Sequence, residues 1–220
     1  MFHVKPTDPE ETRALESAPS VFGARLPLAE RYRDLLATDG VDHGLIGPRE
    51  VDRLWSRHIM NSAVIAERIA EGAVVTDIGS GAGLPGLPLA IARPDLIMTL
   101  VEPLERRADF LRRFVDAAGL SVAVVRGRAE EPATIEAGGM ADVVTSRAVA
   151  SIDKLARWST PLIRVGGKMM PIKGASASDE LAKHSKALAK AGLSDPQVLS
   201  CGVGLLETPT TVVELTRTRR

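Results

Sequence analysis

A glycine-rich segment, Asp77-Ile-Gly-Ser-Gly-Ala-Gly-Leu-Pro-Gly86, places the strongest constraint on the fold of this 220-residue chain. It follows a short β-branched run at residues 73–78 and opens an apolar helical pattern. Glycines let a backbone approach a ligand closely, and open α/β sheets bind ligands at the carboxyl ends of their strands. The segment therefore predicts a ligand-binding turn between the first strand of a sheet and a helix.

Strand and helix patterns alternate through the rest of the chain. Helical patterns separate further apolar runs, which predict strands at residues 96–101, 122–125, 141–145 and 168–172. After a helix near 179–191, two more strands at 198–200 and 210–215 are joined only by a loop. This alternation is typical of a parallel sheet covered on both faces. We expect an α/β fold with a mostly parallel, seven-stranded sheet that ends in an antiparallel β-hairpin.

The chain before the first strand differs in character from the rest. Residues 1–20 are rich in Pro, Glu, Asp and Thr, and we expect them to be loosely ordered. Residues 21–72 carry apolar positions at helical spacing and are predicted to form a helical segment packed on the core. Residues 73–220 are predicted to form that core.

Composition excludes several classes of protein. A single cysteine, Cys201, excludes an internal disulfide and a cysteine-based zinc cluster, and we predict no metal site. No apolar stretch is long enough to span a bilayer, and the N-terminus lacks the apolar run of a signal peptide. We expect a cytoplasmic protein without a membrane partner, and a monomer.

Charge and aromatic content limit how nucleic acid can bind. The chain has 28 basic and 28 acidic residues and only seven aromatic side chains, which disfavours a large basic surface or a base-stacking platform. Residues 145–175, however, hold six basic residues and one acid, Asp153. This distribution leaves room for a compact basic rim, at which RNA binding is modest and salt-dependent.

Two registers of glycines fit the segment. Gly81-x-Gly83-x-x-Gly86, with Glu102 about 20 residues on, fits a dinucleotide-binding turn. The other register begins at Asp77 and resembles the first motif of class I methyltransferases, which bind S-adenosylmethionine (SAM). Asp77 suits the ammonium group of SAM and is poorly placed beside a pyrophosphate, so we favour SAM. A tight turn without a ligand remains an alternative.

Four stretches resemble one methyltransferase family, the RsmG (GidB) family, over residues 25–175. They are Arg57-His58-Ile-Met-Asn61-Ser, the Gly-Leu-Pro-Gly continuation at 83–86, Ser146-Arg147-Ala148-Val-Ala-Ser, and Lys173-Gly174. The resemblance implies a class I SAM-dependent (Rossmann-like) fold. It also implies methylation of N7 of a guanine in 16S ribosomal RNA, in the 530 loop of the small subunit. Asn61 departs from the family's usual Asp, which leaves a charge-based role at that position open.

The resemblance also implies which residues line the SAM pocket: Gly79, Leu84, Ala129, Glu130 and Arg147. Asp77, Gly81 and Gly83 join them as members of the glycine segment. Glu102 ends the second strand, where an acidic side chain can accept both ribose hydroxyl protons; its alternative role is a solvated helix cap. Taken without the family, Glu130 is more typical of surface charge.

The end of the fourth strand bears on the methyl acceptor. Ser146-Arg147-Ala148-Val149 stands where many amino-group methyltransferases carry Asn/Asp-Pro-Pro-Tyr, which argues against an exocyclic amino group. Pyrimidine-C5 methylation needs a thiolate, and Cys201 is far in sequence from every predicted binding loop, so we expect it in the core. N7 of guanine has a free lone pair. We therefore assign no catalytic residue and expect direct in-line transfer without a general base.

Candidate contacts to RNA are Arg57, His58, Arg147 and Lys173, largely by resemblance. A hydrogen-bonded structural role is the alternative for His58. The expected partner is 16S rRNA in the small ribosomal subunit or an assembly intermediate. A nicotinamide-dependent oxidoreductase, a SAM-dependent enzyme with a non-RNA acceptor and a non-catalytic RNA-binding module remain as alternatives.

Overall fold

Seven strands form one sheet in the computed structural model, which describes residues 8–218. The strands are β1 (Val74–Ile78), β2 (Ile97–Glu102), β3 (Val122–Arg126), β4 (Ala141–Arg147), β5 (Ile163–Ile172), β6 (Leu193–Cys201) and β7 (Thr210–Arg217). Their order is β3-β2-β1-β4-β5-β7-β6. The first five are parallel, and β7 runs antiparallel to both β5 and β6. The expected parallel sheet with an antiparallel end is confirmed.

Eight α-helices surround the sheet within the described residues. They are α1 (Pro9–Phe22), α2 (Leu26–Leu35), α3 (Met60–Ala63), α4 (Gly86–Ala92), α5 (Glu105–Ala118), α6 (Pro132–Gly138), α7 (Ile152–Ser159) and α8 (Ala177–Lys190). Before α3 come π turns at Leu36–Gly40 and Trp55–Ile59 and a 3₁₀ segment at Pro48–Arg53; further 3₁₀ segments are Gly23–Arg25, Val64–Arg68 and Thr160–Leu162. None of the described helices is long and apolar enough to cross a membrane.

Helix α1 corrects the expectation for the N-terminus. Loose order over residues 1–20 is wrong from Pro9 onward, while residues 1–7 lie outside the described part of the chain. The Asp8 side chain caps the helix by accepting the Glu10 N–H at 3.1 Å. Ala14, Ala18 and Phe22 are spaced four residues apart and are buried on one face. This apolar stripe outweighs the polar composition, because tertiary packing supplies most of a helix's stability.

Two strands begin earlier than their patterns predict. Strand β5 starts at Ile163 instead of 168, since Gly167 lets it approach β4: a Cβ there would lie 2.8 Å from the Ala141 carbonyl oxygen. Strand β6 starts at Leu193 instead of 198 and contains an irregularity in pairing between Ser194 and Gln197. A strand segment that consists of glycines and polar edge residues lacks the apolar pattern from which strands are predicted.

Alternate residues of the central strands enter two apolar clusters. Val75 and Leu100 belong to a cluster that also contains the buried residues of α1, α2, α4 and α5. Ile78 and Val101 belong to the second cluster, with α7 and α8. Because successive side chains of a strand point to opposite faces, the clusters lie on opposite sides of the sheet. The N-terminal helices therefore share one continuous core with the sheet.

Arg93, just after α4, ties the end of the helical segment to the sheet. Its guanidinium donates to the carbonyl oxygens of Ala66, Ile69 and Ala70 at 3.1–3.2 Å. It also binds both carboxylate oxygens of Asp95 at 2.7 Å. Hydrogen bonds from Arg93 hold the pKa of Asp95 well below its usual range. One planar fork thus satisfies the carbonyl groups where the helical segment ends.

We expect Arg93→Ala to lower the free energy of unfolding by about 1–3 kcal/mol, because several charge-assisted hydrogen bonds are lost at once. Urea denaturation measures the change. Arg112→Ala is the matched control: Arg112 makes one exposed ion pair with Asp109 at 2.8 Å, and its loss should cost less than about 0.5 kcal/mol. Equal losses in the two variants would contradict the anchoring role of Arg93.

Candidate active site

The glycine segment forms a tight turn between β1 and α4. Gly79 has φ +67°, and a Cβ there would lie 2.8 Å from the side chain of Val149 in the loop after β4. A Cβ at Gly86 would lie 2.9 Å from a carboxylate oxygen of Asp77. The first glycine thus brings two loops together over the end of the sheet, and the second lets α4 begin directly above the strand.

Asp77 holds this turn from beneath. It is fully buried; one oxygen accepts the Gly86 N–H at 3.2 Å and the other accepts the Thr145 hydroxyl at 3.1 Å. Burial raises its pKa to about 7. The structure therefore places Asp77 as an internal tie between β1, α4 and β4, instead of in the open position expected for contact with an ammonium group.

Glu102 supports the turn from the end of β2. It is 2% exposed, and its oxygens accept the N–H groups of Gly81 and Leu104, each at 2.9 Å. The alternative of a solvated helix cap is therefore wrong with respect to solvation, although the side chain does hold the start of α5. A carboxylate has about four lone-pair sites, so Glu102 can accept further hydrogen bonds from a ligand.

An open cleft of about 440 Å³ lies over this turn, and we call it the loop cleft. It brings together five of the predicted cofactor residues: Gly79, Gly81, Leu84, Glu102 and Arg147. Sequence reasoning missed other lining residues, including Ile46, Leu104 and Arg107. Ile46 comes from the N-terminal segment, which carries no signal for this site.

Four predicted cofactor residues do not line the loop cleft: Asp77, Gly83, Ala129 and Glu130. Ala129 is buried in the second apolar cluster and Glu130 is exposed, both in the turn after β3. That turn is attached to the end of β2, because the Gly127 N–H donates to the Glu102 carbonyl oxygen at 3.3 Å. It lies beside the cleft without forming its wall.

A second cleft of about 630 Å³, which we call the wide cleft, opens beside the first. It contains three of the predicted RNA contacts, Arg57, Arg147 and Lys173, together with Asn61. The loop between β6 and β7 contributes residues 206–209 to its wall. His58, the fourth predicted RNA contact, faces the loop cleft instead.

Arg147 lines both clefts and so stands at their junction. Its Nη2 lies 3.2 Å from His58 Nδ1, and its Nη1 lies 3.5 Å from the His58 carbonyl oxygen and from Ser62 Oγ. Burial lowers the pKa of Arg147 from its usual value, but an arginine remains protonated in proteins. A fixed positive charge therefore separates the two spaces.

Glu50, His58 and Arg147 form a hydrogen-bonded chain. Arginine can only donate, so His58 Nδ1 accepts and the ring proton lies on Nε2, 3.1 Å from Glu50 Oε2. Burial and the charge of Arg147 lower the pKa of His58 to about 4, against the opposing effect of Glu50. His58 is thus a neutral linker at neutral pH, which supports the structural alternative for this residue.

Lys173 holds the loop that follows β4. Its Nζ lies 2.8 Å from Glu180 Oε2 and 3.2 Å from the Ala150 carbonyl oxygen. The other oxygen of Glu180 accepts the Ile152 N–H at 2.6 Å. Lys173 and Glu180 therefore fix the end of this loop that leads into α7, and Lys173 reaches the wide cleft with its charge already paired.

Cys201 and Tyr32 line neither of the two clefts. Cys201 is fully buried, as expected, and burial raises the pKa of its thiol to about 12. Tyr32 of α2 is also buried, and its hydroxyl donates to the Ala82 carbonyl oxygen at 2.8 Å. That contact links the N-terminal helices to the glycine turn, and no local sequence signal marks it.

Solved structures that share this architecture include one named as a methyltransferase and one that holds SAM. A putative SAM-dependent methyltransferase from Methanococcus maripaludis superposes with a TM-score of 0.56 at 18% identity, covering 87% of this chain and 93% of that one. Aeropyrum pernix fibrillarin, solved with natively bound SAM, gives a TM-score of 0.54 at 18% identity, covering 73% and 75%. The fold is that of class I SAM-dependent methyltransferases.

Sequence relatives narrow the class. The profile of the GidB family, described as rRNA small subunit methyltransferase G, matches residues 25–207. The ribosomal RNA small subunit methyltransferase G of Rhodococcus jostii (strain RHA1) is 56% identical over 99% of this chain and 96% of its own length. That of Mycobacterium sp. (strain KMS) is 57% identical over 91% and 89%. The chain belongs to the rRNA small subunit methyltransferase G family, which confirms the predicted family and its SAM cofactor and removes the dinucleotide alternative.

The burial of Asp77 leads to a prediction about pH. Between about pH 4 and 7 the folded protein keeps a proton on Asp77 that the unfolded chain has released, so this residue's contribution to stability falls as the pH rises. Asp77→Asn removes the titration; its amide oxygen can still accept the Gly86 N–H, and its NH2 group can donate to the Thr145 hydroxyl oxygen, which reverses that hydrogen bond. The free energy of unfolding of Asp77→Asn minus that of the wild type should therefore increase with pH, by at most about 1.4 kcal/mol per pH unit.

Urea denaturation from pH 4.5 to 7.5 measures that gap, and the titration of His58 cancels because both proteins carry it. Asp116→Asn, which replaces an exposed carboxylate, is the matched control for the substitution itself. SAM affinity should be nearly unchanged in Asp77→Asn. A loss of about tenfold or more would instead support the direct ammonium contact expected from the sequence.

Proposed function

We propose that this chain transfers the methyl group of SAM to N7 of a guanine in 16S rRNA. The observation that carries the proposal is the position of Arg147, which is shared by a cleft over the glycine turn and a cleft with basic residues in its wall. A methyl group must pass between two ligands that meet at one point. In this chain the two clefts meet at the arginine.

The residues of the loop cleft fit SAM. Its volume of about 440 Å³ lies in the range of small-ligand sites. Glu102 has lone pairs free for ribose hydroxyl groups, and the backbone of Gly79 and Gly81 is open to close approach. Leu84 and Leu104 offer apolar surface for a base. When bound, SAM supplies an activated methyl group, and these residues would hold and orient it.

Two of the candidate substrate contacts, His58 and Lys173, are not available as general bases. The His58 ring has both nitrogens engaged, one by Glu50 and one by Arg147. Lys173 is paired with Glu180. Neither side chain is free to remove a proton, which agrees with N7, whose lone pair is available at neutral pH. The chain's contribution is then to position the base and to exclude water.

The basic rim is smaller than the sequence suggests. Of the six basic residues in 145–175, Arg164 pairs with Asp142 and Lys168 with Glu214, in addition to the Lys173 pair. Among residues 8–218, Lys154 and Arg157 on α7 form no ion pair and are exposed. With Arg57 in the cleft, few charges remain for phosphate groups, so we propose that a structured ribosomal particle supplies much of the recognition.

The particle is the small subunit or an assembly intermediate, and we propose that the enzyme acts on it as a cytoplasmic monomer.

The test is incubation with tritiated SAM and either small ribosomal subunits or naked 16S rRNA, followed by mapping of the N7-methylated base. We expect label in one guanine and more transfer to the particle. Transfer to protein or free nucleotides, or to another position of the base, would refute the substrate.

We expect Arg147→Ala to lower kcat/KM for methyl transfer by about a hundredfold, because a small misplacement of reacting groups costs about that much. Arg147→Lys should recover only part of the loss, since an ammonium cannot reproduce the planar fork. Melting temperature is measured in parallel and should fall little. Losses of activity that only follow losses of thermal stability would count against a role in the site.

A further inference from the structure

Helix α1 contacts two parts of the wall of the wide cleft. One part is the π turn Trp55–Ile59, which carries Arg57. The other is the loop between β6 and β7, which contributes residues 206–209. Helix α1 itself precedes the segment matched by the family profile, and none of its residues lines the loop cleft. Its contacts therefore concern the acceptor side of the molecule.

Glu11 makes the contact to the π turn. Its side chain is 6% exposed; Oε1 accepts the Trp55 N–H at 2.9 Å and Oε2 accepts the Ser56 N–H at 2.8 Å. These amides lie where the chain changes from the 3₁₀ segment Pro48–Arg53 to the π turn. A carboxylate that accepts two backbone N–H groups at the start of a helical turn forms strong, charge-assisted hydrogen bonds.

Two other residues of α1 contact the loop between β6 and β7. Glu10 Oε1 accepts the Thr208 hydroxyl at 2.9 Å, and the Arg13 guanidinium donates to the Gly204 carbonyl oxygen. Glu10 and Thr208 themselves line the wide cleft. Three residues within about one turn of α1 thus connect the two parts of the wall, and the buried Glu11 makes two of the hydrogen bonds.

We propose that Glu11 is a positioning residue for the RNA substrate: it fixes the turn that carries Arg57 against the β6–β7 loop and so sets the width of the wide cleft. This inference rests on the proposed function, in which the wide cleft receives the RNA. The loop cleft has its own supports in Asp77, Glu102 and Tyr32. The same turn carries His58, which lines the loop cleft, but that ring is also held by Glu50 and Arg147. Binding of RNA therefore depends on Glu11 more strongly than binding of SAM does.

The test is Glu11→Gln, which keeps the shape of the side chain, removes the charge and replaces one of the two acceptor oxygens by an NH2 group. We expect KM for small ribosomal subunits to rise about tenfold, as one weakened charge-assisted contact predicts, with kcat and the Kd of SAM nearly unchanged. Glu16→Gln is the matched control: it removes the same charge from an exposed position of the same helix and should change none of these quantities.

If Glu11 only stabilised the fold, its replacement would impair kcat, SAM affinity, melting temperature and KM together. If kcat, SAM affinity and melting temperature fall in parallel with the rise in KM, the inference is overturned. If Glu11→Gln does not fold, Glu10→Gln decides the question at the β6–β7 loop: it should raise KM in the same direction, and an unchanged KM would overturn the inference.

Arg57→Ala, measured in the same assay, separates this inference from the proposed function. A raised KM in Arg57→Ala with an unchanged KM in Glu11→Gln would leave the proposed acceptor cleft standing and overturn the role of Glu11. An unchanged KM in both variants would show that the wide cleft does not receive the RNA, and the proposed function of that cleft would fail first.

Discussion

The guanidinium of Arg147 is the interaction on which the active-site architecture depends. It closes a chain from Glu50 through His58 and forms part of the wall of both clefts. Because arginine can only donate, it fixes the tautomer of His58 and keeps that ring neutral. A helical segment that precedes the sheet is thereby joined to the end of β4, at the point where cofactor and acceptor are to meet.

Support beneath the clefts comes from buried carboxylates that bind backbone amides. Asp77 holds the start of α4, Glu102 holds the glycine turn and the start of α5, and Glu11 holds the π turn. An N–H group at the start of a helix has no partner within that helix, so a carboxylate there both satisfies it and fixes its direction. The backbone that forms the binding surfaces is thus held in position by these buried carboxylates.

Much of the fold follows from local sequence. The apolar runs of β1 to β4 and the glycines at 79, 81 and 83 predict strands and a turn, because buried parallel strands are continuously apolar and the turn needs positive φ. Helix α1 and the first halves of β5 and β6 escaped prediction. Their positions depend on packing against distant residues, such as Gly167 against Ala141, which composition does not encode.

The sequence by itself determined the family and the cofactor class, since these depend on which residue types occur in which motifs. Only the tertiary structure decided which charged side chains are buried and which of them pair with each other. It buried Asp77 as a tie, paired Lys173 with Glu180, and made the polar N-terminus a helix across the wide cleft. The physical reason is that hydrogen bonds and ion pairs in this site join residues on different helices, strands and loops, and their geometry exists only once the sheet has formed.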